Sequence, residues 1–361
     1  MLRRTSYNRV SLLSARVLKM IRNIVDGVLH GLPNLTFLHF YLPVYLATFA
    51  GAGVWTFLLA RTGTRPPGRW AALAHHLVPL RRWASRSTKV DIVLYLASKL
   101  VMKWIAVLST IIAVFLAAKA GDMLSGALHG HVRAEAGPGA IMLICLAMLI
   151  FDDFGNYLSH LLQHKILFLW QFHKVHHAAT FLTPLTTYRF HPVGNLIDGI
   201  VIGACLAVPV GAAAFFYQLD FPSLLAMSAT TNVIVSIFLL DLLQHTHFSI
   251  SFGVLDRVLI SPRMHQVHHS MKKRHWGKNL GSKLSVWDWC FGTAYRLPPG
   301  EELDFGMGTG EDPNNAYASV WWSFAGPFVD CAKLAGQTWR RRRGGFQNAP
   351  QPAVLTTPTA S

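Results

Sequence analysis

The fold class expected from this sequence is an all-α integral membrane protein, with four to five membrane-embedded helices and a cytoplasmic histidine-rich helical cap. Three observations point there. Of 361 residues, 52% are apolar and only 14% charged, whereas soluble domains carry about 25% charged residues. Several apolar stretches approach the roughly 20 residues that cross a bilayer core. The histidine count, 18, is high, and most of these residues are clustered.

Residues 37–60 carry no formal charge, while 196–219 and 222–244 carry one each, Asp198 and Asp241. Residues 90–118 hold Asp91, Lys99 and Lys103, and the lysines are expected to snorkel or to face the bundle interior. Residues 139–151 are apolar and continue with helical periodicity into DDFGNYLSHLLQH. The segment 37–60 is expected to cross once or to form a hairpin kinked near Pro43 and Gly51–Gly53. A tight turn at Asp220–Pro222 joins the two later spans.

Lys and Arg exceed Asp and Glu by 33 to 17. Residues 1–22 hold six cations and no acid, but no small-residue cleavage site follows, so a removable signal peptide is not expected. The acid-free loop 61–89 carries seven cations and is taken as cytoplasmic by the positive-inside rule. Residues 160–195 and 245–297 then fall on that same side. The charge thus reads as orientation and headgroup contact; no finger spacing or basic–aromatic module supports nucleic acid as a partner. The four cysteines are dispersed, with no CxxC pair, so neither a disulfide framework nor a thiolate zinc site is indicated. An N-terminal membrane region (1–138), a histidine-rich unit (139–297) and a C-terminal part (298–361) are expected. The last comprises an acidic loop, an interfacial helix over 316–339 broken at Pro327, and a disordered tail that includes Arg340–Arg343.

Twelve histidines lie between residues 160 and 275. They form the boxes His160-x3-His164, His173-x2-His176-His177 and His265-x2-His268-His269, with His191, His245 and His247 between the last two. On a helix, positions i, i+3 and i+4 share a face, so each box presents its imidazoles in one direction. At this histidine frequency HxxHH arises by chance roughly 0.04 times, so two copies mark a built feature; headgroup-binding histidines would not need that geometry. The boxes supply eight imidazoles and His245 a ninth, more than one ion accepts, which suggests two metals. Imidazole suits iron, zinc, copper and nickel alike. Asp153, Tyr157, His160 and His164 share a helical face, and Asp241 precedes His245 by four residues. These acids are candidates to accept the second ring N–H of a ligand histidine. His191 and His247 are candidates for ligation or support, and His275 for a surface or entrance position.

At these residues the sequence resembles the fatty acid hydroxylase/sterol desaturase superfamily of integral-membrane, non-haem di-iron oxygenases. The matching motifs are LSHLLQH (158–164), FHKVHH (172–177), YRFHP (188–192), LLQH (242–245), MHQVHHS (264–270) and HWGKNLG…WDWCFGT (275–293). The resemblance covers residues 140–297, less than half the chain. It implies that His160, His164, His173, His176, His177, His245, His265, His268 and His269 hold two iron ions, which zinc can replace on purification. His247 departs from the pattern, standing where relatives often carry a polar amide. The resemblance also implies O2 as co-substrate and a membrane lipid as substrate, with hydroxylation and desaturation both represented.

Breaking an unactivated C–H bond needs an oxidant that no side chain provides. The sequence has no GxGxxG after a strand pattern, and Gly306–Gly310 falls in a polar loop, so electrons are expected from a separate ferredoxin or cytochrome b5-type protein. The basic cytoplasmic face would dock such a donor. A histidine-lined transition-metal transporter is the alternative, but it should place ligands at several membrane depths rather than on one side. A zinc hydrolase is disfavoured because HExxH is absent and no glutamate lies near a box in sequence. Arg outnumbers Lys by 21 to 12 and no dilysine signal ends the chain, which favours a bacterial inner membrane over endoplasmic reticulum.

Overall fold

The computed structural model describes residues 35–59, 69–128, 132–238, 241–298, 300–312 and 314–343. The basic segment 1–22, residues 61–68 of the basic loop and the tail beyond Arg343 lie outside the described residues. Helices α1 (Leu35–Leu59), α2 (Arg69–Leu77) and α3 (Leu80–Trp83) lead into the long α4 (Arg86–Ala127). Then follow α5 (Pro138–Lys165), α6 (Leu167–His177), α7 (Pro192–Phe216) and α8 (Phe221–Phe238). Short helices α9 (Pro262–His268), α10 (Val286–Cys290) and α11 (Gly308–Glu311) precede the C-terminal α12 (Val320–Arg343). Among the described residues there is no strand, only isolated bridges.

Local chemistry sets several of these boundaries. Ser85 caps α4 by accepting from the Thr88 N–H at 3.2 Å, and Pro138 opens α5 at a position where its missing N–H costs nothing. Ser261 and Pro262 do the same for α9, the helix of the third histidine box. Windows of α4 (Val107–Leu124), α5 and α7 are long and apolar enough to cross a membrane, and α1 and α8 contribute shorter apolar helices. Along α4 the exposed side chains Ile92, Leu96, Leu100, Trp104 and Leu108 recur at four-residue spacing, an apolar stripe suited to lipid.

Helix α7 lies between α4 and α5, and small residues allow the approach. A Cβ on Gly211 would sit 2.6 Å from the Ala117 carbonyl oxygen, and one on Gly155 would sit 2.9 Å from the Ile202 Cα. Ala117, Ile144, Met148, Ala207, Val210 and Leu224 are buried together where these helices meet α8.

Several expectations need correction. Of the two alternatives for residues 37–60 the hairpin falls, because 35–59 run as one continuous helix through Pro43 and Gly51–Gly53. Helix α4 runs to Ala127, past the stretch 90–118 that the sequence marked out, and its apolar window begins at Val107. Lys99 therefore lies before that window, with its ammonium 4.9 Å from the Tyr95 ring and 5.1 Å from the Tyr188 ring. Pro327 does not break the C-terminal helix, which continues through Arg343. Contacts on both sides of the proline hold it: Phe324 faces His191 at 6.3 Å, Phe328 packs on Phe172 at 5.2 Å, and Asp330 pairs with Lys174 at 2.8 Å.

Candidate metal centre

The histidine boxes converge. His160 and His164 project from the last turns of α5, His173, His176 and His177 from α6, and His265 and His268 from α9, whose C-cap is His269. His245 arrives on the turn after Asp241–Leu243. Two groups form, with the candidate ligand atoms of each within 4.8 Å of one another. One holds His160, His164, His173, His177 and His268, and the other His176, His245, His265 and His269. The second box gives its i, i+4 pair to the first group and its middle residue to the second; the third box does the reverse. The groups adjoin, with the His177 and His269 rings stacked 4.7 Å apart.

Ring orientation fits a cation. His160 Nδ1 lies 2.8 Å from the Leu280 carbonyl and His268 Nδ1 2.9 Å from the Lys278 carbonyl. A carbonyl only accepts, so both Nδ1 atoms carry the hydrogen and both Nε2 atoms present lone pairs. Those Nε2 atoms, with that of His164, are buried and have no hydrogen-bond partner among the described residues. In the second group the Nε2 atoms of His176, His245, His265 and His269 form a chain at 3.1, 2.8 and 3.1 Å. An imidazole nitrogen carries either one hydrogen or one lone pair, so alternation along this chain gives two donors for three contacts. A cation accepting all four lone pairs resolves the shortfall. Thr187 Oγ1 supports His245 Nδ1 at 3.1 Å. The Nδ1 atoms of His173, His176, His265 and His269 have no partner among the described residues, so none of these residues orients those rings by a hydrogen bond from behind.

Burial, followed by neighbouring histidines, drives the pKa values of His173, His176, His177, His265, His268 and His269 well below 6.5. Burial pushes His245 down to about 3. These rings are therefore neutral at neutral pH, the form that ligates metals.

The remaining candidates sit elsewhere. Asp153 does not meet a histidine: its carboxylate accepts from the Lys283 and Leu284 N–H groups and from Trp287 Nε1, at 2.8, 3.2 and 2.9 Å. Tyr157 is hydrogen-bonded to Thr293, which donates to Asp288, and Asp288 accepts from the Leu280 and Gly281 N–H groups. Both residues thus brace the 280–293 segment that presents the Leu280 carbonyl to His160. Asp241 lies 3.9 Å from the Lys283 ammonium rather than against His245. Residues 241–243 form a 3-10 turn, where the i, i+4 offset of an α-helix no longer aligns side chains. His191 caps α7: Nδ1 accepts from Val193 N–H and Nε2 donates to the Phe324 carbonyl, so neither nitrogen is left for a metal. His247 donates to the His76 carbonyl at 2.7 Å, outside both groups. His275 is fully buried against Glu301, not at the surface.

Sequence reasoning missed three residues around the cage. Phe190 stacks on His176 with centroids 4.3 Å apart and planes 11° from parallel. Trp170 packs on His164 and His177 at 5.0 and 5.3 Å and donates to Glu311, a glutamate 141 positions away. Arg189, fully buried, pairs with Asp91 at 2.8 Å and donates to the carbonyls of Val175, Ser87 and Tyr317. It thereby ties α4, α6 and the segment before α12 together behind the second box. The YRFHP motif was the available signal, but the fold uses Arg189 and Phe190 at the cage rather than His191.

Apolar helices long enough to cross a membrane, joined to two adjoining imidazole sets that could hold metal, define the class as a membrane protein with a candidate histidine-cage metal centre. Residues 145–293 match the fatty acid hydroxylase family. The chain is 30% identical to an ornithine lipid hydroxylase of Rhizobium tropici over 65% of its own length and 67% of the relative's. It is 26% identical to an alkylglycerol monooxygenase of Homo sapiens, over 39% of this chain and 28% of that protein. It is also 26% identical to a Delta(7)-sterol 5(6)-desaturase of Eremothecium gossypii, over 49% and 42% respectively. The chain thus spans under half of the length of the latter two. No solved structure is matched. The chain belongs to the fatty acid hydroxylase family, and with it to the oxidoreductases.

Proposed function

We propose that the protein is an O2-dependent hydroxylase or desaturase acting on a C–H bond of a membrane lipid, with two iron ions held by nine histidines. The observation that carries this reading is the pair of adjoining imidazole groups, one with buried Nε2 atoms that meet no partner among the described residues and the other with four Nε2 atoms that share too few hydrogens. His160, His164, His173, His177 and His268 would hold one ion, and His176, His245, His265 and His269 the other. When bound, the iron pair would supply the oxidant for O2-dependent C–H cleavage, which side chains cannot provide.

The chain's own residues hold that centre and keep water from it. Leu280 and Lys278 fix the tautomers of His160 and His268 through their carbonyls, Trp170 packs on His164 and His177, and Phe190 stacks on His176. Hydroxylation consumes the C–H substrate, O2, two electrons and two protons and yields an alcohol and one water. Desaturation consumes the same reagents, removes two hydrogens from the substrate and yields an alkene and two waters. The electrons come from a separate ferredoxin or cytochrome b5-type donor. Similarity to an ornithine lipid hydroxylase supports hydroxylation of a polar lipid, and its bacterial source supports a bacterial inner membrane with the centre on the cytoplasmic side.

The test is anaerobic purification with metal analysis, then O2 and a reductant with a mixed lipid extract. Oxygen-dependent hydroxylated or desaturated lipid, lost in His173→Ala and His268→Ala, is expected. Metal flux into vesicles without lipid product would overturn the reading in favour of transport.

A further inference from the structure

A cavity lies behind the third histidine box, on the side of α9 away from the cage. Its volume is about 470 Å³, and Met264 and Val267 of α9 form part of its wall. Two guanidinium groups line it, Arg263 and Arg296. The single acid in the wall, Asp256, is tied back into its own turn, accepting from Ser251 Oγ at 2.5 Å and from the Phe252 N–H at 2.9 Å. Arg296 donates only a long bond, 3.4 Å, to the Gly253 carbonyl. No hydrogen bond or ion pair holds the Arg263 side chain among the described residues, and Asp256 pairs with neither arginine. The cavity thus carries two cations against one carboxylate already engaged by hydrogen bonds.

The rim points to where an anion would come from. The turn beside the cavity projects Val254, Leu255 and Val258, which are 76%, 57% and 48% exposed, and Val254 also lines the cavity. Apolar side chains held out next to a cationic pocket suit the boundary between headgroups and acyl chains. The volume falls in the range of sites for whole small molecules, larger than a bare oxyanion fills. Arginine favours phosphate because its planar donors bind two oxygens at once.

We propose that this cavity binds the phosphate headgroup of an anionic membrane lipid, with Arg263 and Arg296 on the phosphate and the Val254–Val258 turn in the acyl region. The site is independent of the histidine cage, and the proposal stands whatever reaction the cage performs.

The experiment uses the full chain in nanodiscs, either of phosphatidylcholine alone or with one fifth phosphatidylglycerol, and reads retained lipid by native mass spectrometry after partial delipidation. Wild type is expected to keep phosphatidylglycerol in preference to phosphatidylcholine. Arg263→Gln and Arg296→Gln should each weaken that preference on the order of fivefold, and the double variant more. Melting temperature and monodispersity should stay at the wild-type level in each, which separates loss of this site from loss of the fold. If the double variant fails to fold, Arg296→Gln decides alone, because that side chain is exposed and held by one long bond. Equal retention of both lipids by wild type, or an unchanged preference in the folded variants, overturns the proposal. So does inorganic phosphate displacing the lipid at equal concentration, which would mark a free-anion site. Loss of the preference only on adding an acidic redox protein, with no effect of the arginine substitutions, would instead assign the surface to protein docking and also overturn it.

Discussion

His160 donates from Nδ1 to the backbone carbonyl of Leu280, 2.8 Å away and 120 positions further along the chain. Two residues earlier the Lys278 carbonyl does the same for His268. A single loop therefore sets the tautomer of two candidate ligands contributed by different helices.

Asn279, between those carbonyls, is the residue on which this loop depends. It is fully buried, holds a left-handed backbone (φ 51°), donates to the Met264 and Tyr295 carbonyls and accepts from the Tyr295 N–H. Asn279→Ala loses three hydrogen bonds worth about 1 kcal/mol each and adds strain at positive φ. Bound metal should fall to a small fraction of wild type, measured by elemental analysis. Asn279→Gly relieves only the strain, and should recover less than half of the lost metal.

The histidines divide into two classes on metal content. His173→Ala, His177→Ala and His268→Ala are expected to lower bound metal sharply. His191→Ala should leave it near the wild-type level while costing roughly 1 kcal/mol of stability through the lost α7 cap. His247→Ala should likewise keep its metal. Loss of metal in His191→Ala would place that ring among the ligands after all.

Arg189 and Asp91 form a fully buried pair. Replacing only one partner leaves an unpaired buried charge, at a cost of about 3–5 kcal/mol. Arg189→Met should therefore lower the melting temperature and the folded yield more than Asp330→Asn, whose partner Lys174 keeps its contact with Gln171.

In the metal-free protein, acid should destabilise the cage. Burial sets the folded pKa of His245 at about 3 against 6.5 unfolded, and the candidate ligands on α6 and α9 are shifted in the same direction. Unfolding then takes up protons between those two values, so stability is full above about pH 6.5 and declines as pH falls toward 3. Melting temperatures of chelator-treated protein at pH 7.5, 6 and 5 check this. A flat series would contradict buried neutral rings.

The boxes were legible because i, i+3, i+4 spacing is a local property of one helix, and the membrane helices because apolar runs are local too. What faced each box was not legible. Helical spacing placed Asp153 and Tyr157 on the histidine face of α5, but it could not show that residues 280–293 would fold back and occupy their side chains. Asp241 was misassigned because its segment winds as a 3-10 turn. The Trp170–Glu311 and Arg189–Asp91 contacts join residues 141 and 98 positions apart, which no spacing rule encodes. Pro327 looked like a helix end because the proline rule is local, whereas the contacts that keep α12 intact come from α6 and His191.

The crossed allotment of the second and third boxes has a consequence for how such a centre can change. Since each of those segments feeds both positions, deleting or mutating either one damages the two sites together. Loss of either segment therefore cannot leave one group intact, whereas loss of the first box or of His245 would touch one group alone.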